Sequence, residues 1–157
     1  MIDAISVGRD TLNYCRESLA IAIRLQEDRP PFTGESLAAL SDAHSLAASG
    51  YLKRFEQLED ICTRMMRSIL AYDRVDIAEL GNLAMFDMIE KRRLIAEARE
   101  WRKIRDQRNE LVHEYPSKMA DRANRFNVAW QLHDSLLETA DSIARKLDDI
   151  LDEAAND

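Results

Sequence analysis

YLKRFEQLEDICTRMMRSILAY, residues 51–72, decides the fold of this chain. Its residues Tyr51, Phe55, Leu58, Cys62, Met65, Ile69 and Tyr72 step by three and four, which lines them along one face of an α-helix. The stepping extends backward through Leu37, Leu40, His44 and Ala47, so the pattern predicts one helix over about 34–72. Gly50 falls inside it at a cost of about 1 kcal/mol relative to alanine, and a break there is the alternative. Thr33 is the expected N-cap, with Glu35 in the first turn. His44, on the seam, reads as a packing histidine.

Helical spacing continues on both sides. Upstream, Ile5, Leu12 and Leu19 repeat every seven with Cys15 and Ala22 between, a coiled-coil-like seam over about 2–27 that Arg29-Pro30-Pro31 breaks. Downstream, Asp76 and Glu79 form a capping-box-like pair for a third helix near 76–94, with Leu80, Leu83, Met85, Met88 and Ile89 on its apolar side. A fourth helix is expected near 96–115, separate from the third or continuous with it through a kink, and Pro116 stops it. Ser117 is positioned to cap a fifth, striped by Met119, Ala123, Phe126, Trp130, His133, Leu137, Ala140, Ala144, Leu147 and Leu151. His133 on that seam is expected to be structural. The acidic tail over 148–157 is expected to fray.

Four glycines and three prolines in 157 residues, with 46% hydrophobic and 32% charged residues, suit long helices with few turns. The reading is all-α: an up-and-down bundle of four to five helices, forming one domain over 1–157. The stripes of the 34–72 helix and of the last helix are long enough to outrun one bundle, so a homodimer is expected. Cys15 and Cys62 have no metal-ligand spacing and read as free core thiols of a reducing compartment. No run is apolar enough to span a membrane and no signal-peptide pattern opens the chain, so a cytoplasmic protein is expected. No metal cluster, glycine loop or serine triad is present, and no cofactor is expected.

The residues best suited to chemistry lie at the end of the fourth helix, in Arg105-Asp-Gln-Arg-Asn-Glu-Leu-Val-His-Glu-Tyr-Pro116, which contains R-N-x-x-x-H-x-Y. Arg108 shares a stripe with Trp101, Ile104, Leu111 and Tyr115, where a guanidinium must be paired or half-exposed. Asn109 and His113 are one turn apart on an adjacent face. In a straight helix Arg108 and His113 diverge by about 140°, so either the last turn bends or a second subunit completes the site. A structural reading pairs Arg108 with a carboxylate across the bundle and leaves His113 to cap the helix.

Net charge is −7, which argues against broad nucleic-acid coating. Residues 91–108 nevertheless hold eight cations against three carboxylates, placed just before the motif. Arg102, Lys103 and Arg105 are the cations expected to meet an anionic substrate.

Arg108-Asn109, His113 and Tyr115 resemble the signature of the HEPN superfamily, in particular the HepT-like toxins encoded beside minimal nucleotidyltransferase antitoxins. Arg54-Phe55-Glu56 is similar to a segment of HEPN-like helices. The resemblance implies a helical homodimer that cleaves RNA without a metal, with Arg108, Asn109 and His113 catalytic, and a cognate nucleotidyltransferase that neutralises it. In that group the transferase adds AMP to the tyrosine matching Tyr115, which would bring negative charge and bulk beside Arg108. Three classes stay open on the sequence: a ribonuclease toxin, a non-catalytic substrate-binding partner of a nucleotidyltransferase, and a plain helical scaffold.

Overall fold

The computed structural model describes residues 1–113 and 116–156. Six helices follow in order: α1 (Ile2–Arg24), α2 (Gly34–Ala38), α3 (Asp42–Tyr72), α4 (Asn82–Lys91), α5 (Ala98–Val112) and α6 (Met119–Asn156). The described residues are all-helical apart from turns and connections. α1, α3, α5 and α6 form an up-and-down core, and α2 and α4 are short pieces packed on it. Gln26 meets Ala47 while Gly8 meets Met65, so α1 runs against α3. Arg9 and Arg16 pair with Asp148 and Asp141, which sets α1 against α6. Glu100 with Ser135 and Gln107 with Arg125 set α5 against α6 in the same way.

The heptad positions Ile5, Leu12 and Leu19 are buried, as are Tyr51, Phe55, Leu58, Cys62, Met65 and Ile69 of α3. Both cysteines are free, and burial pushes their thiols up from the usual range. The aromatic centre joins α3 to α6. Tyr51 packs on Phe126 and Trp130, and its hydroxyl lies 3.0 Å from His133 Nδ1. Burial lowers the His133 pKa against the opposing charge of Asp134, and the ring packs in the core against Tyr51 and Trp130.

The structure corrects several sequence expectations. The 34–72 element is two helices, and the break is at Ser41 rather than Gly50. The Ser41 side chain accepts from the His44 backbone N–H at 3.2 Å and starts α3 afresh. His44 therefore lies in a first turn at the surface, where Nδ1 is 2.6 Å from Asp28 Oδ2, instead of on the seam. Asp76 closes a local turn through the Ala78 N–H, and α4 begins only at Asn82. α3 and α4 both end in Schellman motifs with an arginine in the left-handed position. Val75 N–H reaches Leu70 O around Arg74 (φ 61°), and Leu94 N–H reaches Ile89 O around Arg93 (φ 58°). That second closure separates α4 from α5. α6 starts at Met119, with the Lys118 carbonyl accepting its first bond, so Ser117 precedes the cap position. The helix continues to Asn156 with Ile150 buried, and the expected fraying does not begin at Asp148.

Thr33 caps α2 as expected, in a capping box with Ser36. Asn127 holds the preceding residue from both sides, accepting from Phe32 N–H at 2.7 Å and donating to Phe32 O at 2.8 Å. α2 then approaches α6 so closely that a Cβ on Gly34 would stand 2.7 Å from the Ala120 backbone nitrogen. Gly50, by contrast, has open space around it. Gly34→Ala should therefore cost about 1–3 kcal/mol through overpacking, whereas Gly50→Ala should gain up to about 1 kcal/mol of helix propensity. Urea unfolding of the two variants checks the pair, and equal effects would refute the α2–α6 contact.

Candidate functional site

α5 is amphipathic: Ala98, Trp101, Ile104 and Gln107 are buried, and Arg108 and Leu111 continue that side half-buried. Gln107 Nε2 donates to the Arg125 carbonyl at 2.8 Å and ties the helix to α6. On its other flank α5 meets Glu59 and Asp60 of α3. Neither carboxylate was singled out from the sequence. A glutamate lodged beside Leu58 and Cys62 in a buried run was the available signal.

Glu59 is fully buried, which is tolerable for a carboxylate only when it is paired and hydrogen-bonded. The Thr63 hydroxyl donates to Oε1 at 2.7 Å and Arg105 donates to Oε2 at 2.7 Å. Burial pushes the Glu59 carboxyl up, while Thr63 and Arg105 pull it back. Arg108 joins the same cluster. One of its terminal nitrogens lies 2.7 and 2.9 Å from the two Asp60 oxygens, and the other donates to Asn109 Oδ1 at 3.3 Å. Its Nε is buried 3.8 Å from Glu59 Oε2 and makes no hydrogen bond among the described residues. The bond to Asp60 raises the Arg108 pKa against the opposing effect of burial, with Asp60, Glu59 and Glu56 adding their charge. The guanidinium is thus permanently charged and fixed in direction.

Arg108 and Asn109 are brought together. His113 is exposed and stands just past the helix as its C-cap, with φ −73° and ψ 169° and its N–H on the Asn109 carbonyl at 3.3 Å. α5 thus ends at Val112, earlier than the expected 115. Tyr115 lies outside the described residues. Of the expected substrate-facing cations, Arg102 donates to Asp87 at 2.9 Å and Arg105 is held by Glu59, while Lys103 is exposed.

Beside this cluster opens a cleft of about 210 Å³, bounded by α2, α3, the end of α5 and the start of α6. Leu111 and Pro116, on either side of His113 in the chain, both line it.

The fold and the cluster define a small helical-bundle protein whose polar centre is built on α5 and α3. A family model described as nucleotidyltransferase substrate binding protein like matches residues 16–147, and the chain belongs to that family. Curated proteins and solved structures give no match. Among the described residues no helix is long and apolar enough to cross a membrane.

The two carboxylates should differ sharply on removal. Glu59→Ala leaves Arg105 facing a buried void and should cost about 3 kcal/mol or more. Asp60→Ala removes a partly exposed pair and should cost at most about 1 kcal/mol. Denaturant midpoints of both variants measure the contrast, and a tolerant Glu59→Ala would contradict the tie between α3 and α5.

Proposed function

We propose that this chain is the helical partner of a nucleotidyltransferase and that the end of α5 is a metal-independent endoribonuclease site. The observation that carries the reading is Arg108, fixed and charged beside Asn109, which lies one turn before an exposed His113. Cleavage of RNA by its own 2′-hydroxyl needs a base at that hydroxyl, a proton for the departing 5′-oxygen and a cation for the charge growing on phosphate. His113, whose imidazole can accept a proton, takes the 2′-proton as general base. The 2′-oxygen bonds to phosphorus, the bond to the 5′-oxygen breaks, and Arg108 meets the phosphate oxygens. Water or the His113 of a second copy returns a proton to the 5′-oxygen. The product ends are a 2′,3′-cyclic phosphate and a 5′-hydroxyl. The protein then acts as a cytoplasmic toxin, and a cognate nucleotidyltransferase antitoxin silences it by adding AMP to Tyr115.

One observation favours a second reading. Arg108 is already engaged by Asp60 and Arg105 by Glu59, so the immediate cluster has no surplus of positive charge. A non-catalytic partner that presents substrate to the transferase needs nothing more than such a fixed guanidinium.

We also infer a homodimer. The stripes of α3 and α6 expected to face a partner are largely buried within the fold. Exposed large apolar residues occur singly at Leu46 on α3, Leu83 on α4 and Val112 on α5, whereas on α1 Val7, Tyr14 and Ile21 repeat every seven and are followed by Leu25. Two α1 helices packed antiparallel about Tyr14 set each Val7 against Ile21 of the second copy and each Asp3 beside its Arg24.

Induced wild-type protein should arrest growth and leave new 2′,3′-cyclic phosphate ends, while Arg108→Ala and His113→Ala do neither. Co-expression with the transferase should restore growth and add one adenylyl group to Tyr115, read by mass spectrometry. Cleavage at the wild-type rate in both variants ends the ribonuclease reading, and folded protein that never cleaves RNA selects the non-catalytic one. For the dimer, Tyr14→Glu should halve the mass measured by light scattering at unchanged helix content. A monomeric wild type would rule the α1 interface out.

A further inference from the structure

We infer that a second cleft, between the α4–α5 connection, the first turns of α5 and the middle of α6, takes an arginine presented by a partner protein. It measures about 330 Å³, or about eleven water molecules of liquid volume, which admits one extended side chain with its peptide group and no helix. Glu90, Glu97, Glu100 and Glu138 line it against one lining cation, Arg93. No ion pair among the described residues involves any of them. Glu90 accepts from the Ala98 backbone N–H at 3.1 Å and Glu100 from the Ser135 hydroxyl at 2.9 Å, both uncharged donors. Arg145 donates to the hydroxyl of the lining Ser142 at 3.2 Å, and the N-terminus of α5 adds about half a positive charge. With both counted, the cleft keeps a surplus of negative charge.

A second observation points to a ligand. Trp101 lines this cleft and is 1% exposed, and its indole N–H has no acceptor among the described residues. A buried donor left unmade costs about 1–3 kcal/mol, which an oxygen entering from the cleft removes. The carboxylates do not gather round one point, since no group of three acidic, histidine or cysteine side chains among the described residues could hold a metal ion. Charge spread in this way suits an organic cation whose donors fan out, and a guanidinium carries its donors in a planar fork. The buried Leu94, Ile95 and Ile104 supply an apolar wall for a methylene stem. One arginine residue meets all of these: its guanidinium the glutamates, its stem the apolar wall, and its backbone carbonyl the Trp101 N–H. Free arginine would bring its own carboxylate into a negative cleft, so the occupant is an arginine within a polypeptide. The cleft lies toward the start of α5, away from Arg108 and His113 at its end, and the inference stands apart from the ribonuclease reading.

The test is an NMR titration of the isotope-labelled full chain with N-acetyl-arginine methylamide, which reads the Trp101 indole N–H directly. Trp130, the other tryptophan, is the internal control. The Trp101 indole signal should move and saturate while that of Trp130 stays in place. The matching citrulline compound keeps the shape and loses the charge, and it should bind at least about tenfold more weakly. Free arginine should also bind more weakly than the blocked compound. Glu138→Gln, at an exposed lining position, should weaken the arginine compound by about two- to fivefold at an unchanged unfolding midpoint. Glu79→Gln, exposed and outside the cleft, should leave binding as it is. A Trp101 signal that does not move, a citrulline compound that binds equally, or free arginine that binds as tightly as the blocked form overturns the inference, whatever the protein does to RNA.

Discussion

A fully buried carboxylate, Glu59, governs how α5 sits in this protein. Taking an ion of that kind out of water costs several kcal/mol, and only close, well-directed partners offset it. Thr63 supplies one from the same helix; Arg105 must come from α5, and it reaches Oε2 at 2.7 Å. Slipping α5 by one residue would rotate Arg105 by about 100° and strand the charge. The register of α5 against α3 is therefore fixed electrostatically as well as by the packing of Trp101 and Ile104. Everything downstream inherits that register, including the aim of Arg108, the place of Asn109 and the point at which the chain leaves the helix at His113.

The cleft depends on a second constraint. α2 has only five residues, too few to be stable alone. It persists because Thr33 and Ser36 satisfy its first turn, Asn127 clamps Phe32 and Gly34 allows backbone contact with α6. One cleft wall is thus held by three local devices and not by a large apolar face. The opposite wall, on α5, is held by the carboxylate tie. The two sides of the site are positioned by independent parts of the fold.

What periodicity reports is burial, and burial was legible. Ile5, Leu12 and Leu19, and Tyr51 through Ile69, fell where their spacing put them. On α6 the spacing found Ala123, Phe126, His133, Ala140, Ala144 and Leu147 but left out Ala129, Leu136, Ile143 and Ile150, which are buried as well. α6 touches α1, α2, α3 and α5, so its buried arc is wider than a single seam. Helix ends were less legible. The steps through Leu37, Leu40 and His44 run on in sequence where Ser41 interrupts the chain. The Schellman closures use Arg74 and Arg93 where a glycine would have announced them. The carboxylate–guanidinium cluster was least legible. Glu59 and Arg105 are 46 residues apart, and no local pattern records a partner at that distance. The motif residues themselves were legible as a motif, yet the pairing that fixes Arg108 was open until α3 and α5 were placed.

Charge in this protein is divided between structure and surface, and that division bears on selectivity. Arg92, Arg102, Arg105 and Arg108 of the basic run all meet carboxylates within the fold, so the run does not act as a continuous positive face. What remains of the run is short-range, the exposed Lys91, Arg93, Arg99 and Lys103, while beside the cleft Lys53 pairs with Glu56 and Arg125 with Glu110. Screening limits such a patch to about 8–10 Å at physiological salt, while the net negative surface repels a polyanion beyond it. If RNA is the substrate, as proposed, it is then not held along its backbone, and binding has to come from the nucleotide that reaches the end of α5. On the proposed reading, selectivity is set by which unpaired nucleotide can leave its stack and reach Arg108 and His113. The energetic reason is the same one that makes the chain a poor general binder: phosphate contacts alone are too few to retain RNA.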